Sequence, residues 1–120
     1  MKKILVAEDD ITTTRLYQMH FRRGQLEGFF FDQGKPAIER AAEINPDLAV
    51  LDYELPDLQG IEVMRALHAV PGCQDTPVIF VTGRAKPSLI EELKAAGAVE
   101  VVGKPFSPLQ LIKRIKELLA

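Results

Sequence analysis

The chain has one cysteine, Cys73, among 120 residues. A single thiol excludes an internal disulfide and a cysteine zinc cluster. No apolar run approaches the length that spans a bilayer. Met1-Lys2-Lys3-Ile4-Leu5-Val6-Ala7 opens as a signal peptide would, but Glu8-Asp9-Asp10 ends the apolar stretch too early. The segment reads instead as the first strand of a cytoplasmic protein with no membrane association. There is no basic block, and the formal net charge is -2, so this domain is not expected to bind nucleic acid by itself. Low-complexity segments and linkers are also missing. What is present is a globular balance, 47% hydrophobic and 27% charged. The length is that of one ordinary domain, residues 1–120, large enough for a real core.

Short apolar runs alternate with amphipathic stretches. Lys3 to Ala7 has the continuous apolar character of a strand buried on both faces. Helical spacing begins at Thr13, with Leu16, Tyr17, His20, Phe21 and Gly24 on one face. Phe29-Phe30-Phe31 reads as a second strand. Pro36 suits the first turn of a second helix, which turns Ile38, Ala41 and Ile44 inward and stops at Asn45-Pro46. Leu48 to Leu51 is the third strand, and a loop from Asp52 to Gly60 leads to a helix marked by Ile61, Met64 and Leu67. After the Pro71-Gly72 turn, Val78 to Val81 is the fourth strand. Ile90, Leu93 and Ala96 line the fourth helix, closed by Gly97. Val99 to Val102 is the fifth strand. Ser107-Pro108 starts the last helix, with Leu109, Ile112, Ile115 and Leu119 as its apolar stripe. Five β/α repeats in this order dictate a parallel sheet with helices on both faces.

Ligands of an open parallel sheet bind beyond the carboxyl ends of its strands. Glu8, Asp9 and Asp10 follow the first strand, Asp52 the third, Thr82 the fourth, and Lys104-Pro105 the fifth. Carboxylates crowded at one edge raise one another's pKa unless a cation sits between them. An all-oxygen site with open positions suits Mg2+, which keeps waters and accepts a phosphate oxygen. A carboxylate beside that ion can attack phosphorus and form an acyl phosphate. Lys104 and the metal would offset the charge on the phosphoryl group, and Thr82 can donate a hydrogen bond to one of its oxygens.

Four segments carry a family resemblance. They are Ile4-Leu5-Val6-Ala7-Glu8-Asp9-Asp10, Leu51-Asp52 through Pro56 to Gly60, Val81-Thr82-Gly83, and Lys104-Pro105-Phe106. In that order, at those strand ends and over nearly the whole chain, they resemble the response-regulator receivers of two-component systems, of the chemotaxis-regulator kind. The resemblance implies an α/β flavodoxin-like three-layer (βα)5 fold with strand order 2-1-3-4-5. It implies a Mg2+ site made by Glu8, Asp9, Asp52 and the backbone carbonyl of Glu54. It makes Asp52 the phosphoacceptor, Thr82 the switch hydroxyl and Lys104 the lysine that contacts the phosphoryl group. It also implies a cis Lys104-Pro105 bond.

The phosphodonor would be the phosphohistidine of a sensor histidine kinase or histidine phosphotransfer protein. The output would be a downstream protein partner or output domain, engaged through the fourth helix, fifth strand and fifth helix. Such a protein is not a conventional enzyme, because its substrate is its own Asp52. Two positions depart from the family pattern. Gln59 stands where an aspartate usually precedes the loop glycine, and Val101 where an aromatic ring usually sits.

Plain readings stand beside these. Asp10 is a residue of the turn and helix start, where acids are favoured, and is left out of the site. His20 and His68 read as structural, Phe29 to Phe31 and Met64 as core, and Cys73 as incidental to a turn. A flavodoxin-like FMN binder would need a hydroxyl- and amide-rich phosphate loop where Glu8-Asp9-Asp10 stands. An aspartyl phosphatase would place an Asp-x-Asp nucleophile after the first strand, and that pattern is missing. Glu54 and Arg84, each two residues beyond a site residue, are expected to meet across the site mouth.

Overall fold

In the computed structural model, which describes residues 1–120, the strands are β1 (Lys3–Ala7), β2 (Glu27–Phe31), β3 (Leu48–Asp52), β4 (Val78–Thr82) and β5 (Glu100–Gly103). The helices are α1 (Ile11–Arg23), α2 (Gly34–Ile44), α3 (Gly60–His68), α4 (Pro87–Ala95) and α5 (Pro108–Leu118). All strand pairs are parallel, in the order β2-β1-β3-β4-β5. This is the expected flavodoxin-like arrangement.

Alternate residues of each strand serve opposite faces. Leu5, Ala7, Ala49, Leu51, Val78 and Phe80 pack with α2, α3 and α4 through Ala37, Ala41, Val63, Met64, Leu67 and Leu93. Ile4, Val6, Leu48, Val50, Ile79 and Val81 pack with α1 and α5 through Tyr17, Phe21, Leu111, Ile112 and Ile115. Covered on both faces, the three central strands have no polar alternation to show, so their sequences read as continuous apolar runs.

Helix ends follow local chemistry. α1 begins at Ile11, two residues before the expected start, because the Asp10 carboxylate accepts the Thr13 N–H at 2.9 Å. The Thr13 hydroxyl and N–H hold the Asp10 carboxyl below its usual range. Asp10 is therefore a helix cap, as its plain reading had it. α2 ends where Asn45 takes a left-handed conformation, φ 52°. Gly97, at φ +123°, follows the last turn of α4. At the start of α3, a Cβ on Gly60 would stand 2.8 Å from the Asp52 carbonyl oxygen and from Tyr53 Cα. Only glycine lets the chain return so close to the end of β3.

Four expectations need correction. Leu16 is exposed, and only Tyr17 and Phe21 of the expected α1 face are buried. Leu109 is 69% exposed, and Leu111 takes the inward place on α5. β5 runs one residue later than expected, leaving Val99 at the surface. Cys73 is fully buried, with Sγ 3.8 Å from the Ala41 carbonyl oxygen, so it is a core residue rather than an incidental one. His68 is structural: its Nε2 lies 2.9 Å from the Thr76 carbonyl oxygen.

Candidate functional site

The parallel register fixes one working edge. Ala7 lies opposite Leu51, Asp52 opposite Val81, and Thr82 opposite Gly103. Glu8, Asp52, Thr82 and Lys104 therefore emerge side by side from β1, β3, β4 and β5.

Asp52 is 6% exposed. Its Oδ1 accepts the Glu54 N–H at 3.1 Å, and its Oδ2 accepts from Lys104 Nζ at 3.1 Å. The same ammonium stands 3.0 Å from Glu8 Oε1. That ammonium is the one charged partner of the buried Glu8 Oε1. Glu8 Oε2 accepts the Asp10 N–H at 3.1 Å. Asp9 is exposed, yet carboxylate oxygens of Glu8, Asp9 and Asp52 all lie within 4.8 Å of one another. The Lys104-Pro105 bond is cis, as expected. Thr82 is fully buried, and its Oγ1 accepts the Arg84 N–H at 3.0 Å.

Three carboxylates thus face one ammonium. Burial and then the Asp52 charge push the Glu8 carboxyl above its usual range, against the opposing Asp10 N–H and Lys104. Burial pulls the Lys104 ammonium down, but the two carboxylates outweigh it and raise its pKa overall. Tyr17, inward on α1, is pushed up by burial and then by Glu8 and Asp52. An all-oxygen acidic cluster, with Asp9 exposed, fits a hard divalent cation.

At the mouth, Arg84 Nε lies 3.4 Å from Glu54 Oε1. The expected meeting of these two side chains is present. Asp57 lies inside the segment from Leu51 to Gly60 that carries the resemblance, but that segment gives it no role of its own. It sits in the loop between β3 and α3, and its carboxylate accepts the Gly34 and Lys35 N–H groups, each at 2.8 Å. Tyr17, on the helix face that the sequence predicts, stacks its ring on Phe106, centroids 5.4 Å apart.

Residues 4–116 match the response regulator receiver domain family. The phosphate regulon transcriptional regulatory protein PhoB of Rhizobium meliloti is 36% identical over 122 residues, covering 99% of this chain and 52% of that protein. ResD of Bacillus subtilis is 34% identical over 117 residues, covering 98% and 48%. The chain spans about half the length of these curated relatives. Among solved structures, the chemotaxis response regulator CheY4 of Vibrio cholerae superposes with a TM-score of 0.91 at 25% identity, covering 98% of both chains. The BeF3-activated DrrB receiver domain gives 0.87 at 29% identity, covering 99% and 97%. The fold is that of the chemotaxis regulators. The chain belongs to the response-regulator receiver family of two-component systems, which is a signalling family rather than a conventional enzyme family. No helix is long and apolar enough to cross a membrane.

Proposed function

We propose that Asp52 accepts a phosphoryl group from the phosphohistidine of a sensor histidine kinase or a histidine phosphotransfer protein. The observation that carries this reading is the setting of Asp52. It is a buried carboxylate at a strand end, held by Lys104, with two further carboxylates within 4.8 Å.

An Asp52 carboxylate oxygen attacks phosphorus in line. The new P–O bond forms as the P–N bond to the donor imidazole breaks, and the imidazole leaves with a proton. Lys104, already raised in pKa, keeps its charge and moves from pairing with Asp52 to pairing with the phosphoryl oxygens. The Thr82 hydroxyl, whose oxygen is held by the Arg84 N–H, donates to another of those oxygens. Glu8, Asp9, Asp52 and the Glu54 carbonyl would hold Mg2+. When bound, the ion supplies the positive charge that lets an anion approach three carboxylates. The domain thereby catalyses its own phosphorylation and dephosphorylation, and switches binding to a downstream partner or output domain.

The test is intact mass after incubation with acetyl phosphate and Mg2+. We predict one added phosphoryl group in wild type, none in Asp52→Asn, and little when the metal is chelated. A phosphoryl group gained equally by Asp52→Asn would overturn the assignment.

A further inference from the structure

The N-terminus of α2 has an unusual solution to its free N–H groups. Four such groups at a helix start have no partner within the helix and need acceptors from elsewhere. Gln33, the N-cap, makes no capping hydrogen bond with its side chain. Pro36, in the first turn, has no N–H to offer. The donors left just inside the helix are those of Gly34 and Lys35. Both go to one carboxylate, Asp57, from 22 and 23 residues away. Burial of that carboxyl opposes its ionisation, but the Lys35 and Gly34 N–H groups outweigh it and hold its pKa below the usual range.

Asp57 sits on the loop that carries the site. The base of that loop is closed by the Gly60 N–H to the Tyr53 carbonyl at 2.7 Å and by a bridge between Glu54 and Gln59. Leu55 and Leu58 of the same loop pack on the core face shared by α2 and α3. Close packing holds the helix start in place as well: a Cβ on Gly34 would stand 2.6 Å from Val63 Cγ2. The tip of the loop is thus fastened to α2, and its base fixes Glu54 against Asp52.

We infer that Asp57 is a positioning residue. Its two hydrogen bonds to α2 hold the β3–α3 loop so that the Glu54 backbone stays in place for the bound cation. This rests on the metal site proposed above. Asp57 touches neither cation nor phosphoryl group, and works through the loop.

The experiment separates loop positioning from simple helix capping. Mg2+ affinity is measured by NMR titration, with melting temperature and amide exchange on the same samples. Asp57→Ala is expected to weaken Mg2+ binding by up to about tenfold, the lower end of the loss for a direct hydrogen-bond partner of a ligand. It should also speed exchange at Gly34, Lys35, Glu54 and Gly60. The double variant Asp57→Ala/Gln33→Asp gives α2 an N-cap acceptor of its own, within reach of the Lys35 N–H. Its melting temperature should recover while its Mg2+ affinity stays weak. Recovery of both together would show that Asp57 only caps the helix and would overturn the inference, as would wild-type affinity in Asp57→Ala. A wild-type protein that binds no Mg2+ would defeat the site reading itself. Exchange at Glu54 and Gly60 still decides the tether in that case: unchanged rates in Asp57→Ala would defeat it, and faster rates would support it.

Discussion

One ammonium among three carboxylates is the arrangement on which the chemistry turns. Lys104 partly neutralises Glu8 and Asp52, but it cannot satisfy both and Asp9 as well. That deficit of positive charge is what a cation would fill. The Glu54–Arg84 pair is of another kind. Its side chains are 50% and 69% exposed, so it adds only about 0–1 kcal/mol of stability. Its consequence is steric. On the proposed chemistry, two long side chains joined across the mouth would obstruct the water that attacks phosphorus opposite the Asp52 oxygen. We predict faster decay of the acyl phosphate in Glu54→Ala and in Arg84→Ala, with the double variant no faster than the worse single. Unchanged decay in both singles would contradict this.

The elements show what could be read from sequence and what could not. The candidate site was legible because Glu8, Asp52, Thr82 and Lys104 each stand at the end of a strand, and parallel topology sends all those ends to one edge. Leu109 departs from the expected stripe because two phases of α5 are both apolar. At about 100° per residue, Leu109 stands roughly 120° around the helix from Ile115, beyond the stripe of Leu111, Ile112 and Ile115. Asp57 was invisible because its partners lie in another element; only the weak start of α2 hinted that an outside acceptor was needed. β5 carries one of the two family departures. Val101 lies opposite Phe80 and packs on the α2–α3 side, with no ring to rotate. On the proposed switching role, a signal from Thr82 and Lys104 would then pass through backbone. We predict that beryllofluoride with Mg2+ moves amide resonances chiefly in α4, β5 and α5. Changes confined to α1 and α2 would exclude that face as the output surface.

At the scale of the whole molecule, a cluster of like charges is set against the burial that supports the sheet. Fifteen and twelve buried apolar residues on the two faces support the sheet, and its edge tolerates a cluster of like charges. Removing one charge should relieve the fold. We predict that metal-free Asp52→Asn melts higher than metal-free wild type. Mg2+ should raise the wild-type melting temperature more than that of the variant. A cation at 100 times its dissociation constant stabilises by about 2.7 kcal/mol. Equal Mg2+ stabilisation of both proteins would argue against Asp52 as a ligand.

The central claim is the identity of the acceptor, and chemical trapping tests it most directly. Borohydride reduces an aspartyl phosphate to homoserine, which marks the residue in a peptide map. After acetyl phosphate and Mg2+, we predict homoserine at Asp52, with Glu8 and Asp9 unmodified and no conversion in a chelated control. Conversion at another acidic residue, with Asp52 intact, would contradict the account.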